Sequence, residues 1–146
     1  MPTPLAVVRI VGTVALLCAV FGLWYNGHTL RSVSRGIEGV NEPPPLRRWF
    51  YTLSTLCVLF HIALASLGIA LVIGYSALWL PFTGLMVIEV VFVLVIGALW
   101  LHPRHGMSVG AASGVSAGGL VPQFIVLLPV WAPIVLWYAH RELSTP

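Results

Sequence analysis

The sequence has no lysine and no aspartate, and seven arginines and four glutamates are the only formal charges on its 146 residues. Charged residues make up 8% of the chain, against about 25% in ordinary soluble domains. A water-soluble fold needs a charged coat, and this chain cannot supply one. That excludes a cytosolic enzyme, a nucleic-acid-binding domain and a disordered tail. The missing aspartate removes a Ser-His-Asp set, and the missing lysine removes a GxxxxGK[ST] phosphate loop. Cysteine is scarce too. Cys18 and Cys57 lie inside apolar runs with no CxxC and no Cys/His cluster, which argues against a disulfide scaffold or a structural zinc site. No N-x-S/T acceptor occurs.

Apolar residues fill the space that charge leaves. They make up 59% of the chain, and the mean hydropathy is +0.99. The expected fold is all-α: one domain over 1–146, an integral membrane protein built as a bundle of four transmembrane helices. A helix rising ~1.5 Å per residue needs about 20 apolar residues to cross a ~30 Å hydrocarbon core. The first run covers 4–26. The stretch 50–101 holds one charge, Glu89, and as a single helix would be close to 80 Å long. It therefore breaks at Gly74-Tyr75-Ser76 into passes at 50–73 and 80–101. The fourth pass, 118–139, carries Pro122, Pro129 and Pro133 and is expected to kink. Tryptophan and tyrosine cluster near the ends of these runs, where amphipathic rings favour the headgroup level. The apolar run after Arg9 is followed by no A-x-A site, so it reads as a retained helix and not a signal peptide.

Arginine sets the expected orientation. Arg31, Arg35, Arg47 and Arg48 lie in the Arg-rich loop 27–49 and Arg104 in the Gly-rich loop 102–117, which places both loops in the cytoplasm and both termini outside. The membrane expected is a bacterial inner (plasma) membrane. Leu30, Val33, Ile37 and Val40 recur at helical spacing, so the first helix is expected to run on past the membrane or along its surface. Pro43-Pro44-Pro45 then predicts an extended spacer. The four arginines are candidates for lipid or partner contact.

Small residues mark candidate packing faces, because lipid gives no hydrophobic drive for helix association. One ridge is Gly106, Gly110, Gly114 and Gly118. A second is Ser66, Ala70 and Gly74, with Ser54, Cys57, His61, Ala65 and Gly68 on an adjoining stripe. Ala15, Ala19 and Gly22 offer a matching face on the first helix. The bundle is expected to centre on the second helix.

Glu89 and His61 are the chemically informative residues. Both fall mid-span, 13 residues after and 15 before Ser76, so their depths agree to about 3 Å. A charge at that depth is costly unless paired, neutralised or wetted. Arg9 enters from the same end as a possible partner for Glu89. The set Arg9, His61 and Glu89 reads either as a proton-handling site or as a packing clamp. No cofactor is predicted. Bis-His haem would need His61 twice, across a homodimer. His102 and His105 lack companion ligands for a metal site. Residues 114–118 match GxSxG literally, but without the strand–turn–helix elbow that motif needs.

The function expected is a non-catalytic accessory or assembly subunit of a larger membrane complex. The alternative is a small homo-oligomeric transporter or channel with Glu89 as intramembrane coupling acid. Expected partners are membrane lipid and other membrane subunits or a second copy, with no nucleic acid. An accessory subunit should tolerate change at Glu89 better than at Gly110 or Gly114, and a transporter the reverse.

Overall fold

The computed structural model describes residues 3–34, 44–96 and 119–145, with the side chains of 33–34 and 44–50 left aside. The described residues are all-helical, in the order α1 (Pro4–Ser34), α2 (Pro44–Ile73), a 3₁₀ turn (Ser76–Leu78), α3 (Trp79–Leu94), α4 (Val121–Ile125) and α5 (Leu128–Ser144). Among the described residues, three helices are long and apolar enough to cross a membrane, over Pro4–Ser32, Tyr51–Ile73 and Ser76–Leu94.

The expected extended spacer is overturned at its C-terminal end. α2 begins at Pro44, so Pro44 and Pro45 lie in its first turn. The first N–H groups of a helix have no intrahelical acceptor, so proline removes nothing there, and its fixed φ suits the start. The expected break between the second and third passes is present. Gly74 has φ +112°, a conformation that glycine adopts without steric cost. The Tyr75 amide bonds the Ala70 carbonyl at 3.0 Å and the Gly74 amide bonds Leu71 at 3.0 Å. That is a Schellman end, and it satisfies two carbonyls that the helix leaves open. Gly74 therefore ends the helix in a turn, with the Leu5 side chain of α1 beside it.

The fourth run is broken, where a single kinked helix is expected. α4 and α5 are separated at Leu127, whose φ of 52° is left-handed. Pro122 and Pro129 sit in the first turns of the two pieces. A proline cannot donate to the carbonyl four residues before it, so Pro129 leaves Ile125 without its helical donor. The Val126 carbonyl is satisfied from the side, by the Trp131 indole Nε1–H at 2.7 Å.

The bundle centres on α1 and not on α2: α1 packs against α2, α4 and α5, while α3 packs chiefly against α5. Residue size explains this. Gly12, Ala15, Ala19 and Gly22 give α1 a low surface, and Ala15 and Ala19 are fully buried. Where α1 crosses α2, a Cβ at Gly12 would lie 2.7 Å from the Val72 amide nitrogen and 2.8 Å from the Gly68 carbonyl oxygen. A Cβ at Gly68 would lie 3.1 Å from both the Gly12 carbonyl and the Leu16 amide nitrogen. The two backbones are in contact there, and only glycine permits it.

The contact stripe of α2 is the one through Cys57, His61, Leu64, Gly68 and Leu71, all buried. The expected ridge through Ser66 and Ala70 is corrected. Ser66 is exposed, and its hydroxyl is satisfied by the Ile62 carbonyl at 3.0 Å. A shift of two positions along a 3.6-residue helix turns a side chain through about 200°, which separates Ser66 from the stripe at Leu64 and Gly68. On α3, Phe82, Met86, Glu89 and Val93 face inward, while Val87, Ile88, Val91 and Leu94 cover the outer surface.

Candidate functional site: a buried amide between histidine and glutamate

The inward faces of α1, α2, α3 and α4 meet around four polar side chains. His61, Glu89 and Gln123 are fully buried and Asn26 is 1% exposed. An unpaired polar group at such a position costs roughly 1–3 kcal/mol, so the placement of every donor and acceptor matters.

His61 lies on the α2 stripe facing α1. It has room because α1 carries Gly22 there: a Cβ on Gly22 would collide with the imidazole ring at Nε2 and Cδ2. Its Nδ1 is 2.6 Å from the Cys57 carbonyl one turn earlier, and its Nε2 is 3.2 Å from Gln123 Oε1. A carbonyl only accepts, so Nδ1 carries a hydrogen and donates it.

Gln123 reaches the site from α4. Beyond His61, its amide neighbours the Glu89 carboxyl without closing a hydrogen bond to it. Both Glu89 oxygens and the Gln123 Nε2 lack partners among the described residues. Asn26 anchors the approach to α4. Its Nδ2 donates to the Gly22 carbonyl within α1 and to the Gly119 carbonyl, each at 2.8 Å. Gly119 is packed against Cys57 Sγ, and Cys18 Sγ lies 3.7 Å from the Pro122 carbonyl. Both thiols are free and buried. They hold the start of α4 as small apolar groups.

His61 and Glu89 thus share one site, with Gln123 between them and not in the direct contact that depth matching suggested. Arg9 is not part of it. Arg9 is exposed, while Glu89 is fully enclosed, so the expected Arg9–Glu89 contact is corrected. α1 meets the site at Gly22, 13 residues and about 20 Å of helical rise beyond Arg9, whose neighbour Gly12 packs near the other end of α2. The haem bridge fits this arrangement poorly. Both imidazole nitrogens face oxygen atoms of the same chain, and the ring has no exposed edge.

No protein family, curated protein or solved structure matches the chain. The site is therefore read from its own chemistry. Among the described residues no three His, Cys, Asp or Glu side chains are grouped to hold a metal ion.

Arg31, at the last turn of α1, is exposed. Arg47 and Arg48 lie in the first turns of α2 by backbone position. Arg35 and the ridge Gly106, Gly110, Gly114 and Gly118 lie outside the described residues. Gln123, Asn26, Gly22 and Gly119 are the contributors that a search for titratable groups passes over. Their signal was available: Gln123 is the only glutamine in the chain and stands in an apolar run.

Proposed function

We propose that the chain is a four-pass integral membrane protein serving as a non-catalytic accessory or assembly subunit of a larger membrane complex. The three long apolar helices support the membrane reading, and α4 with α5 supplies the fourth, interrupted pass. The arginines in 27–49 and 102–117 support a cytoplasmic side for those loops, in a bacterial inner membrane.

The observation that carries the accessory role is the complete enclosure of His61, Gln123 and Glu89 by the chain's own helices. A coupling acid shared between copies of a small transporter would lie at the subunit face and be exposed in a single chain. Here the polar groups turn inward, and the outward surface is apolar and aromatic. One groove on it, lined by Trp79, Thr83, Pro133, Ile134, Trp137 and Tyr138, is of the kind that lipid or a neighbouring helix fills.

The transporter reading draws on one observation of its own. An unpaired buried carboxyl beside an interrupted helix is a combination that transporters use to hold ions at mid-membrane depth.

The test is the native mass after extraction in mild detergent. Co-purification with larger, unrelated chains is the expected result. A homogeneous homo-oligomer with nothing else bound overturns the accessory role, and flux measured with wild type and Glu89→Gln then decides for or against transport.

A further inference from the structure

The hydrogen-bond inventory around His61 does not close with neutral side chains as their atoms stand. Nδ1 donates to the Cys57 carbonyl over 2.6 Å. A neutral imidazole carries one N–H, so its Nε2 then presents a lone pair. That lone pair faces Gln123 Oε1 at 3.2 Å, which is also an acceptor. Meanwhile the Gln123 Nε2, with two hydrogens to give, has no acceptor, and neither Glu89 oxygen has a donor.

A half-turn of the Gln123 amide about Cγ–Cδ removes the conflict, because it exchanges oxygen and nitrogen in nearly the same space. The nitrogen then donates to His61 Nε2. The oxygen turns toward Glu89, where it is satisfied only by a donor, and a carboxyl is a donor only when it carries its proton. We infer that Glu89, Gln123 and His61 form a proton-holding site, in which Glu89 is a neutral carboxylic acid, linked through the turned Gln123 amide to a neutral Nδ1–H histidine. The order of donation is Glu89 O–H to Gln123 Oε1, Gln123 Nε2–H to His61 Nε2, and His61 Nδ1–H to the Cys57 carbonyl.

The unturned amide closes the inventory in one other way, with a second proton on His61 and none on Glu89. The proton count is the same in both arrangements, and the amide orientation tells which group holds the proton. Only the first puts no charge into a fully buried site; the second buries an imidazolium and a carboxylate separated by an amide, where the desolvation of two ions outweighs an attraction without direct contact. No other charged group faces the site from the described helices. α1 contributes the Cys18 thiol and Asn26, and α2 the Cys57 thiol. Arg9 is exposed, and His140 on α5 is hydrogen-bonded to Ser76 at 3.2 Å. The inference does not depend on the accessory role, since it concerns only groups within one chain.

The experiment is nitrogen-15 magnetic resonance of histidine-labelled protein in lipid, with infrared spectroscopy of the same sample. The His61 signals are assigned by their loss in His61→Asn, and the Glu89 band by its loss in Glu89→Gln. The expected result is one protonated and one unprotonated ring nitrogen on His61, the protonated one being Nδ1, with a carboxylic-acid carbonyl band from Glu89. In Gln123→Met, the His61 Nε2 resonance and the Glu89 carbonyl band both shift as their shared partner is removed. Two protonated His61 nitrogens, an Nε2–H tautomer or an ionised Glu89 each overturn the inference. Should either assignment variant fail to fold, sequential carbon-13 and nitrogen-15 correlations in the wild type assign the His61 ring and the Glu89 carboxyl carbon, whose shift reads its protonation.

Discussion

Two of the helix pairs among the described residues are joined in opposite ways. α1 meets α2 backbone to backbone at Gly12 and Gly68. α3 meets α5 through side chains, with Phe82 and Met86 in one core with Leu128, Ala132 and Leu136. No glycine mediates the second pair. Gly84 of α3 has open space where a Cβ would stand, and α5 has no glycine. The first joint is fixed by the absence of side chains and the second by their shapes. The Glu89–Gln123–His61 site lies where the two pairs meet, which is where hydrogen bonds must supply what packing does not.

The contrast predicts a ranking of substitutions, to be read by reversible unfolding in detergent. The largest effect is expected for Gly12→Val. Its new atoms meet the Val72 amide and the Gly68 carbonyl, neither of which can move aside, so the loss is expected at the top of the overpacking range, about 3 kcal/mol or more. A loss below 1 kcal/mol would show that the two backbones are not in contact. Gln123→Leu comes second. It leaves two buried groups without their shared amide, at roughly 1–3 kcal/mol for an unsatisfied group. Glu89→Gln keeps the shape and supplies an N–H donor to Gln123 Oε1, so stability is expected to hold within about 1 kcal/mol, inside the usual range for a single hydrogen bond. Gly84→Ala and Ser66→Leu are the smallest. Both add atoms at exposed positions, where changes stay within about 0.5 kcal/mol. A large loss at Ser66 would restore the rejected ridge and reassign the packing face of α2.

Composition and run length made the all-helical class legible, along with the three long apolar helices and the break at Gly74. These depend on local properties: hydropathy summed over a window, and the conformational freedom of one glycine. The neighbourhood of His61 and Glu89 was approachable as well, because helical rise is a one-dimensional count; both border Gln123. The angle around each helix was not. Arg9 is exposed and lies 13 residues before Gly22, where α1 meets the site, and Ser66 sits two residues from the true stripe and is exposed. Which helix would be central was hidden for the same reason, since it depends on how the faces of several helices pair. The interruption at Leu127 was visible only as an excess of proline, which announces disturbance without its form. Gln123 went unnoticed because an uncharged amide draws no attention until its neighbours are known.

The Gly74 end of α2 bears on how such a chain would be made. Only Gly74 and Tyr75 lie between α2 and the 3₁₀ turn that leads into α3. A connection that short gives the synthetic machinery no slack for delivering one helix and holding back the other. On the membrane-spanning reading proposed above, the segment from Pro44 to Leu94 would enter a bilayer as one hairpin, with Tyr75 and Ser76 at its tip. Laid end to end as one continuous rod, α2 and α3 would be about 75 Å long, more than twice the thickness of a hydrocarbon core. The turn at Gly74 folds that length back on itself, to a height that a bilayer matches.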